Sequence, residues 1–283
     1  MRSPILPVAL VTTILGALAG ISITLVVMSD EEESPDGWQE SDSNADGIID
    51  EWINFKDGVF LKWERDHNFD GLRDDWSEFE GGVPVLSKKD TNFDGKTDEW
   101  VQFDEMGLAN EIKNDLNFDG KVDEWTIFVM GVQVGSRSDK NFDQKVDEWV
   151  KYGKYGYRNR IDNDTNFDTK IDEWIYCGEF GQTERIESDL NFDGSVDAWE
   201  FFELGHFTNG RYDLDYDSRP DSWSFGKFGQ VVEQHWSLDG SEKPNKKTFY
   251  NHGVKTREEF DIDQDGVFEV IKKFDKLERE IDS

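Results

Sequence analysis

The sequence predicts an all-β chain of tandem hairpin repeats, each 24 or 25 residues long, arranged as an elongated array behind one N-terminal membrane helix. Three observations carry that prediction. An eleven-residue motif recurs from Asp42 onward, an uncharged run precedes it, and the segments between motifs are β-branched and aromatic with a Gly in the middle.

The uncharged run comes first in the chain. Ile5 to Met28 is 24 residues without a charge, enough as a helix to cross the roughly 30 Å of a bilayer core. Arg2 lies before it, and Asp30, Glu31, Glu32 and Glu33 lie after it. The basic side stays in the cytoplasm, so residues 1–4 are expected as a cytoplasmic tip and 5–28 as a signal anchor. The alternative is a cleaved signal peptide ending at Ala17-Leu18-Ala19, although the apolar run continues to Val27. Either way, the rest is expected in the periplasm or outside the cell, anchored or secreted. Residues 29–40, rich in Ser, Asp, Glu, Pro and Gly, read as an acidic linker.

Residues 41–283 read as a ten-unit repeat domain. DTNFDGKTDEW from Asp90 and DLNFDGKVDEW from Asp115 show the pattern, and a unit from Ser237 is in register but lacks most of the acids. Length changes fall only between motifs, which points to a geometric constraint within the motif. Position 1 is Asp42, Asp66, Asp90, Asp115, Asp139, Asp164, Asp189, Asp213 and Asp261. Position 3 is Asn44, Asn68, Asn92, Asn117, Asn141, Asn166, Asn191, Asp215 and Asp263. Position 5 is Asp46, Asp70, Asp94, Asp119, Asp143, Asp168, Asp193, Asp217 and Asp265. Position 9 is Asp50, Asp74, Asp98, Asp123, Asp147, Asp172, Asp197, Asp221 and Glu269.

A hard divalent cation takes six to eight oxygens at short range, and this spacing supplies them from side chains at 1, 3, 5 and 9 and the carbonyl of 7. Gly at 6 permits the sharp turn. Gln144, Thr169 and Ser218 replace it and should strain the backbone if they keep that turn. Nine copies in register make calcium, up to nine ions, the expected cofactor.

Positions 1 to 9 resemble the calcium loops of EF-hands and dockerin repeats, and the tandem arrangement is similar to thrombospondin type 3 repeats without their cysteines. The resemblance implies calcium at positions 1, 3, 5 and 9. The position 12 carboxylate of those families is absent except at Glu200. The missing ligand is then expected from the acid at position 10, from a neighbouring repeat, or from water. Ala198, Ser222 and Val270 offer no acid at position 10, so the last three loops are expected to bind more weakly.

Between motifs, segments such as Trp100–Phe103–Gly107 read as two short strands and a turn. A helix pairing Trp at 11 with the aromatic at 14 is the alternative, but only about nine residues are available to it. Trp at 11 and Phe at 4 (Phe69, Phe93, Phe118, Phe142, Phe167, Phe192) are expected as core ladders. Cys177 takes an aromatic slot and reads as a small core residue.

Composition limits the function. With 63 acidic and 31 basic residues and a net charge of −32, the chain repels nucleic acid. One Cys rules out an internal disulfide framework. His67, His206, His235 and His252 sit in unrelated repeat positions; no triad, zinc spacing or phosphate loop emerges, and no enzyme is expected. The expected function is a calcium-rigidified structural or adhesive scaffold held at the membrane. The alternative is recognition of a protein or glycan partner through a Trp-lined face.

Overall fold

The computed structural model describes residues 36–241 and 243–281, together with the backbone of β1 (Leu10–Leu15) and β2 (Ser22–Val27). β1 and β2 pair antiparallel with Leu10 opposite Val27. Apart from that backbone pair, the expected membrane helix over Ile5–Met28 lies outside the described residues. No described helix is long and apolar enough to cross a membrane.

The chain divides into two compact units, residues 1–136 and 137–283. The first contains β3 (Gly37–Ser41), β4 (Glu51–Lys56), β5 (Val59–Arg65), β6 (Asp75–Glu80), β7 (Val83–Lys89), β8 (Glu99–Phe103), β9 (Ala109–Asn114), β10 (Glu124–Val129) and most of β11 (Val132–Ser138). The second contains β12 (Glu148–Tyr152), β13 (Arg158–Asn163), β14 (Glu173–Cys177), β15 (Thr183–Ser188), β16 (Ala198–Glu203), β17 (His206–Tyr212), β18 (Ser222–Lys227), β19 (Gln230–Trp236), β20 (Lys246–Asn251), β21 (Val254–Phe260), β22 (Val270–Phe274) and β23 (Glu280–Ile281). From β3 to β10, and again from β12 to β23, each strand pairs antiparallel with the next. Each unit is therefore an antiparallel meander of tandem hairpins, as the composition predicts. β3 takes in Gly37 to Glu40, so the linker ends earlier than expected.

The two ends of the strands differ chemically. One end carries tight turns such as Asp57-Gly58 and Leu204-Gly205, both residues with positive φ, the type I′ geometry that matches strand twist. Before each of these turns lies a one-residue register shift, for example between Asn54 and Phe55, or Phe201 and Phe202. Such bulges tighten the local twist and re-aim the next side chain. They turn position 14 inward: Phe79 and Phe128 are buried, and the rings of Phe60 and Phe79 lie 4.3 Å apart. The other end carries the acidic motifs, one loop between each hairpin and the next.

The apolar core is thin. Val101 and Val150 at position 12 are buried, with Ser77 and Ser224 at the same position in other repeats. Trp at position 11 is half-buried throughout, flanked by charged cross-strand neighbours such as Lys88 and Lys113 beside Trp100. The Phe residues at position 4 are not core residues, contrary to expectation. Phe69, Phe93, Phe118, Phe142, Phe167 and Phe192 are 41–45% exposed at the loop tips. Their backbone explains it: φ is 61–64° at all six, and this left-handed residue points its side chain away from the sheet. Cys177 is half-buried on β14, and burial pushes its thiol above the ordinary range.

Candidate metal centres

Each acidic loop is a backbone hairpin wrapped around its own carboxylates. In the loop from Asp90, Asp90 Oδ1 and Oδ2 accept the amides of Asp94 at 3.2 Å and Gly95 at 2.6 Å. Asn92 Oδ1 accepts the amide of Asp94 at 2.9 Å, and Asp94 Oδ1 accepts that of Lys96 at 2.9 Å. Asp98 Oδ2 reaches back to the amides of Thr91 at 2.8 Å and Asn92 at 3.2 Å. Side-chain acceptors of this kind hold the chain in turns that neither a helix nor a sheet ladder would give. The same pattern recurs with Asp115 and Asp123, Asp139 and Asp147, and Asp189 and Asp197. The turn at position 6 survives the loss of Gly, since Gln144, Thr169 and Ser218 keep φ at 73°, 80° and 73°.

Burial sorts the predicted ligands. Position 1 is buried in every loop but that of Asp42, and position 9 is buried from Asp50 to Asp197. Position 5 is exposed in all nine loops. The six loops from Asp66 to Asp189 thus each combine two buried carboxylates with one exposed carboxylate. Oxygens of Asp139, Asp143 and Asp147 all lie within 4.8 Å of one another, as do those of Asp213, Asp215 and Asp221, and those of Asp261, Asp263, Asp265 and Glu269. Groups of this kind can hold a metal ion. Burial pushes the carboxyls of Asp123, Asp147 and Asp197 above the usual range, the acids at positions 1 and 5 push the same way, and the amide donors pull back. Burial also acts on Asp50, but donors from Ser43 and Asn44 and the charge of Arg65 outweigh it and hold Asp50 low. Asp215 is raised by desolvation and by Asp221 and Asp217.

Three of the lysines at position 7 reach back toward the acids. Lys96, Lys121 and Lys145 place their ammonium groups 4.0, 3.7 and 3.8 Å from Asp94, Asp119 and Asp143. Where position 7 is Ile48, Leu72 or Ser195, the position 3 amide donates to the same oxygen of Asp46, Asp70 or Asp193 instead, at 3.0–3.1 Å.

Four of the acids at position 10, the first expected source of a missing ligand, are hydrogen-bonded away from the loop centre, whereas Asp75 Oδ1 is buried without a partner. In the first unit the register sets Glu51 opposite Arg65, Arg65 opposite Asp75, Asp75 opposite Lys89 and Lys89 opposite Glu99, an alternating charge ladder beside the loops. Glu51 accepts from Ser41 and from Trp63 Nε1, Glu124 from Asn114, Glu173 from Asn163 and Glu148 from Lys140. Since strands alternate faces, position 10 points away from its neighbour at 9. Of the last three loops, where weaker binding is expected, those from Asp213 and Asp261 hold convergent oxygen groups without a position 10 acid.

The unit from Ser237 keeps two of the loop's hydrogen bonds without acids at positions 1, 5 and 9. Asn245 at position 9 accepts the amide of Leu238 at 2.8 Å, and Asp239 accepts that of Ser241 at 3.0 Å. Its backbone joins its neighbours as the others do, Ser237 N–H to the Asp221 carbonyl at 2.7 Å and Asp261 N–H to the Asn245 carbonyl at 2.9 Å. The sequence shows the missing acids but not that these two loop bonds survive them.

No protein-family model matches the chain, and no curated protein matches it. The class defined by fold and site is therefore a tandem antiparallel β-repeat protein with buried, Asp-rich groups able to hold metal ions.

Proposed function

We propose that the chain is an extracytoplasmic calcium-binding repeat protein of the EF-hand-like or dockerin-like loop type. Its ions rigidify a structural or adhesive scaffold tethered to a membrane by the segment from Ile5 to Met28. The comparison with the Ser237 loop carries this reading. There a neutral Asn245 accepts the position 2 amide, as Asp98 and Asp147 do elsewhere. The loop fold needs an acceptor at position 9; it does not need a charge. Placing two nearly buried carboxylates within reach of a third costs free energy through desolvation and repulsion, and a hard cation at the loop centre would offset it. The residues fit such an ion: the oxygens are hard, clustered and arranged on a short turn. Nine divalent ions would offset more than half of the net charge of −32.

The ions would act by linkage, binding the folded array and not the unfolded chain. Circular dichroism melting of the protein in calcium and in chelator tests this. A higher midpoint in calcium is expected, and identical midpoints would sink the reading.

A second reading, recognition of a glycan or protein partner, is favoured by the exposed Phe residues at position 4 more than by the half-buried Trp at position 11. Binding that is lost in Phe118→Ala, with melting unchanged, would support it; binding lost only on replacing Trp would point back to the sheet face.

A further inference from the structure

The loop from Asp261 departs from the other eight in a way that points to a ligand. In each of those eight, the amide at position 5 donates to Oδ1 of position 1, as Asp94 does to Asp90 or Asp217 to Asp213, at 3.1–3.2 Å. In the ninth, the Asp265 amide keeps only the bond to position 3 that the other loops also make, to Asp263 Oδ1 at 3.2 Å, and makes none to Asp261 Oδ1. Asp261 Oδ1 is left buried without a hydrogen-bond partner, in a residue only 7% exposed. A buried, unpartnered carboxylate oxygen is costly.

The rest of the loop is altered to match. Position 3 is Asp263 where seven loops have Asn, and position 9 is Glu269 where the others have Asp. Glu269 reaches the Ile262 amide at 3.3 Å, against 2.7–3.1 Å for the position 9 carboxylates of the other eight loops. Its carboxylate is thus less committed to holding the backbone. Position 7 is Val267, so no ammonium competes for Asp265. Asp261, Asp263, Asp265 and Glu269 form the one four-carboxylate group among the described residues.

We propose that this ninth loop is the tightest divalent-cation site of the chain and fills first, with all four carboxylates as direct ligands. This rests on the calcium reading above. Four negative ligands attract a hard dication more strongly than three with a neutral Asn, and the buried oxygen of Asp261 gains the partner it lacks. Sequence position alone would rank this loop among the weakest.

Hydrogen exchange of the full chain at stepped calcium concentrations, read by mass spectrometry, tests the order of filling. The peptide covering 254–274 should gain protection at calcium roughly tenfold or more below that needed around 90–98, as expected when ligand charge sets affinity. Glu269→Gln and Asp261→Asn should each abolish that lead while leaving the 90–98 response in place. Asp90→Asn should do the reverse. If 90–98 responds first, or all loops respond together, or Glu269→Gln keeps the lead, the proposal is wrong while the calcium reading stands. If no loop responds to calcium, both fall.

Discussion

The backbone amide of Asp90 donates to the carbonyl of Asp74 at 2.7 Å, so the first carboxylate of one loop hangs directly from the ninth position of the loop before it. Asp66 to Asp50 and Asp115 to Asp98 repeat the link in the first unit; Asp164 to Asp147, Asp189 to Asp172 and Asp213 to Asp197 repeat it in the second. Adjacent strands lie about 4.8 Å apart, so linked loops are about 10 Å apart.

Asp98 separates the hydrogen-bonding role of position 9 from its charge. Asp98→Asn keeps an acceptor for the amides of Thr91 and Asn92, as Asn245 does for Leu238. Its melting point in chelator should equal or exceed that of the parent, and its gain on adding calcium should shrink. Asp98→Ala should lose about 1–3 kcal/mol in both conditions, because buried amides are left unpaired. Denaturant unfolding with and without calcium would show it; equal behaviour of the two variants would contradict the division of roles.

Aromatic residues at two motif positions should respond in opposite ways. Phe79 is buried against Phe60, and Phe79→Ala should cost about 3 kcal/mol or more. Phe118 is 44% exposed, and Phe118→Ala should change stability by under about 0.5 kcal/mol. A large loss in the second would mean that position 4 packs after all.

Backbone constraints give a third test, independent of ions. Gln144 adopts φ of 73°, so Gln144→Gly should stabilise by about 0.5–1 kcal/mol once the added flexibility of the unfolded chain is counted. Gly226 sits at a register shift of β18, and a Cβ there would lie 2.6 Å from the Phe207 carbonyl oxygen. Gly226→Ala should destabilise by about 1–3 kcal/mol. Thermal melts in chelator would read both, and a neutral Gly226→Ala would show that the bulge can relax.

Burial raises the Cys177 thiol above its ordinary value, so between the two values the unfolded chain loses its proton while the folded chain keeps it. Stability from this group is present below the unfolded value and declines as pH rises through that window. Cys177→Ala should therefore show a shallower alkaline loss of stability, and the native thiol should alkylate at pH 8 far more slowly than the denatured chain. Equal alkylation rates would refute the burial argument.

The alternation of strand, Gly turn, strand and acidic loop was legible because each element has its own local chemistry: β-branched runs, Gly at positive φ, and acids at fixed spacing. Every predicted ligand falls within a loop for the same reason. Facing was less legible. Phe at position 4 reads as core by composition, yet a left-handed backbone carries it outward, and no propensity scale marks that at a non-Gly residue. The acids at position 10 are adjacent in sequence to the ligands, but strand alternation hands them to Arg65, Lys89 or Asn114 on neighbouring strands. Asp261 looks like a lesser copy of Asp90; only the three-dimensional hydrogen bonding reveals its unpaired oxygen.

The Ser237 loop, which lacks acids at positions 1, 5 and 9, acts as an electrostatic insulator. Linked loops about 10 Å apart lie near one Debye length at physiological salt, so an ion entering one weakens the negative potential that draws an ion to the next. Across Ser237, Asp213 and Asp261 are two such steps apart, about 20 Å, where most of that influence is screened. Titration from Asp139 to Asp213 should therefore be broad and mutually dependent, while the Asp261 loop titrates as a solitary site with a Hill slope of about one. Restoring acids at Ser237, Ser241 and Asn245 would wire it into its neighbours, visible as a broadened transition in its own exchange profile.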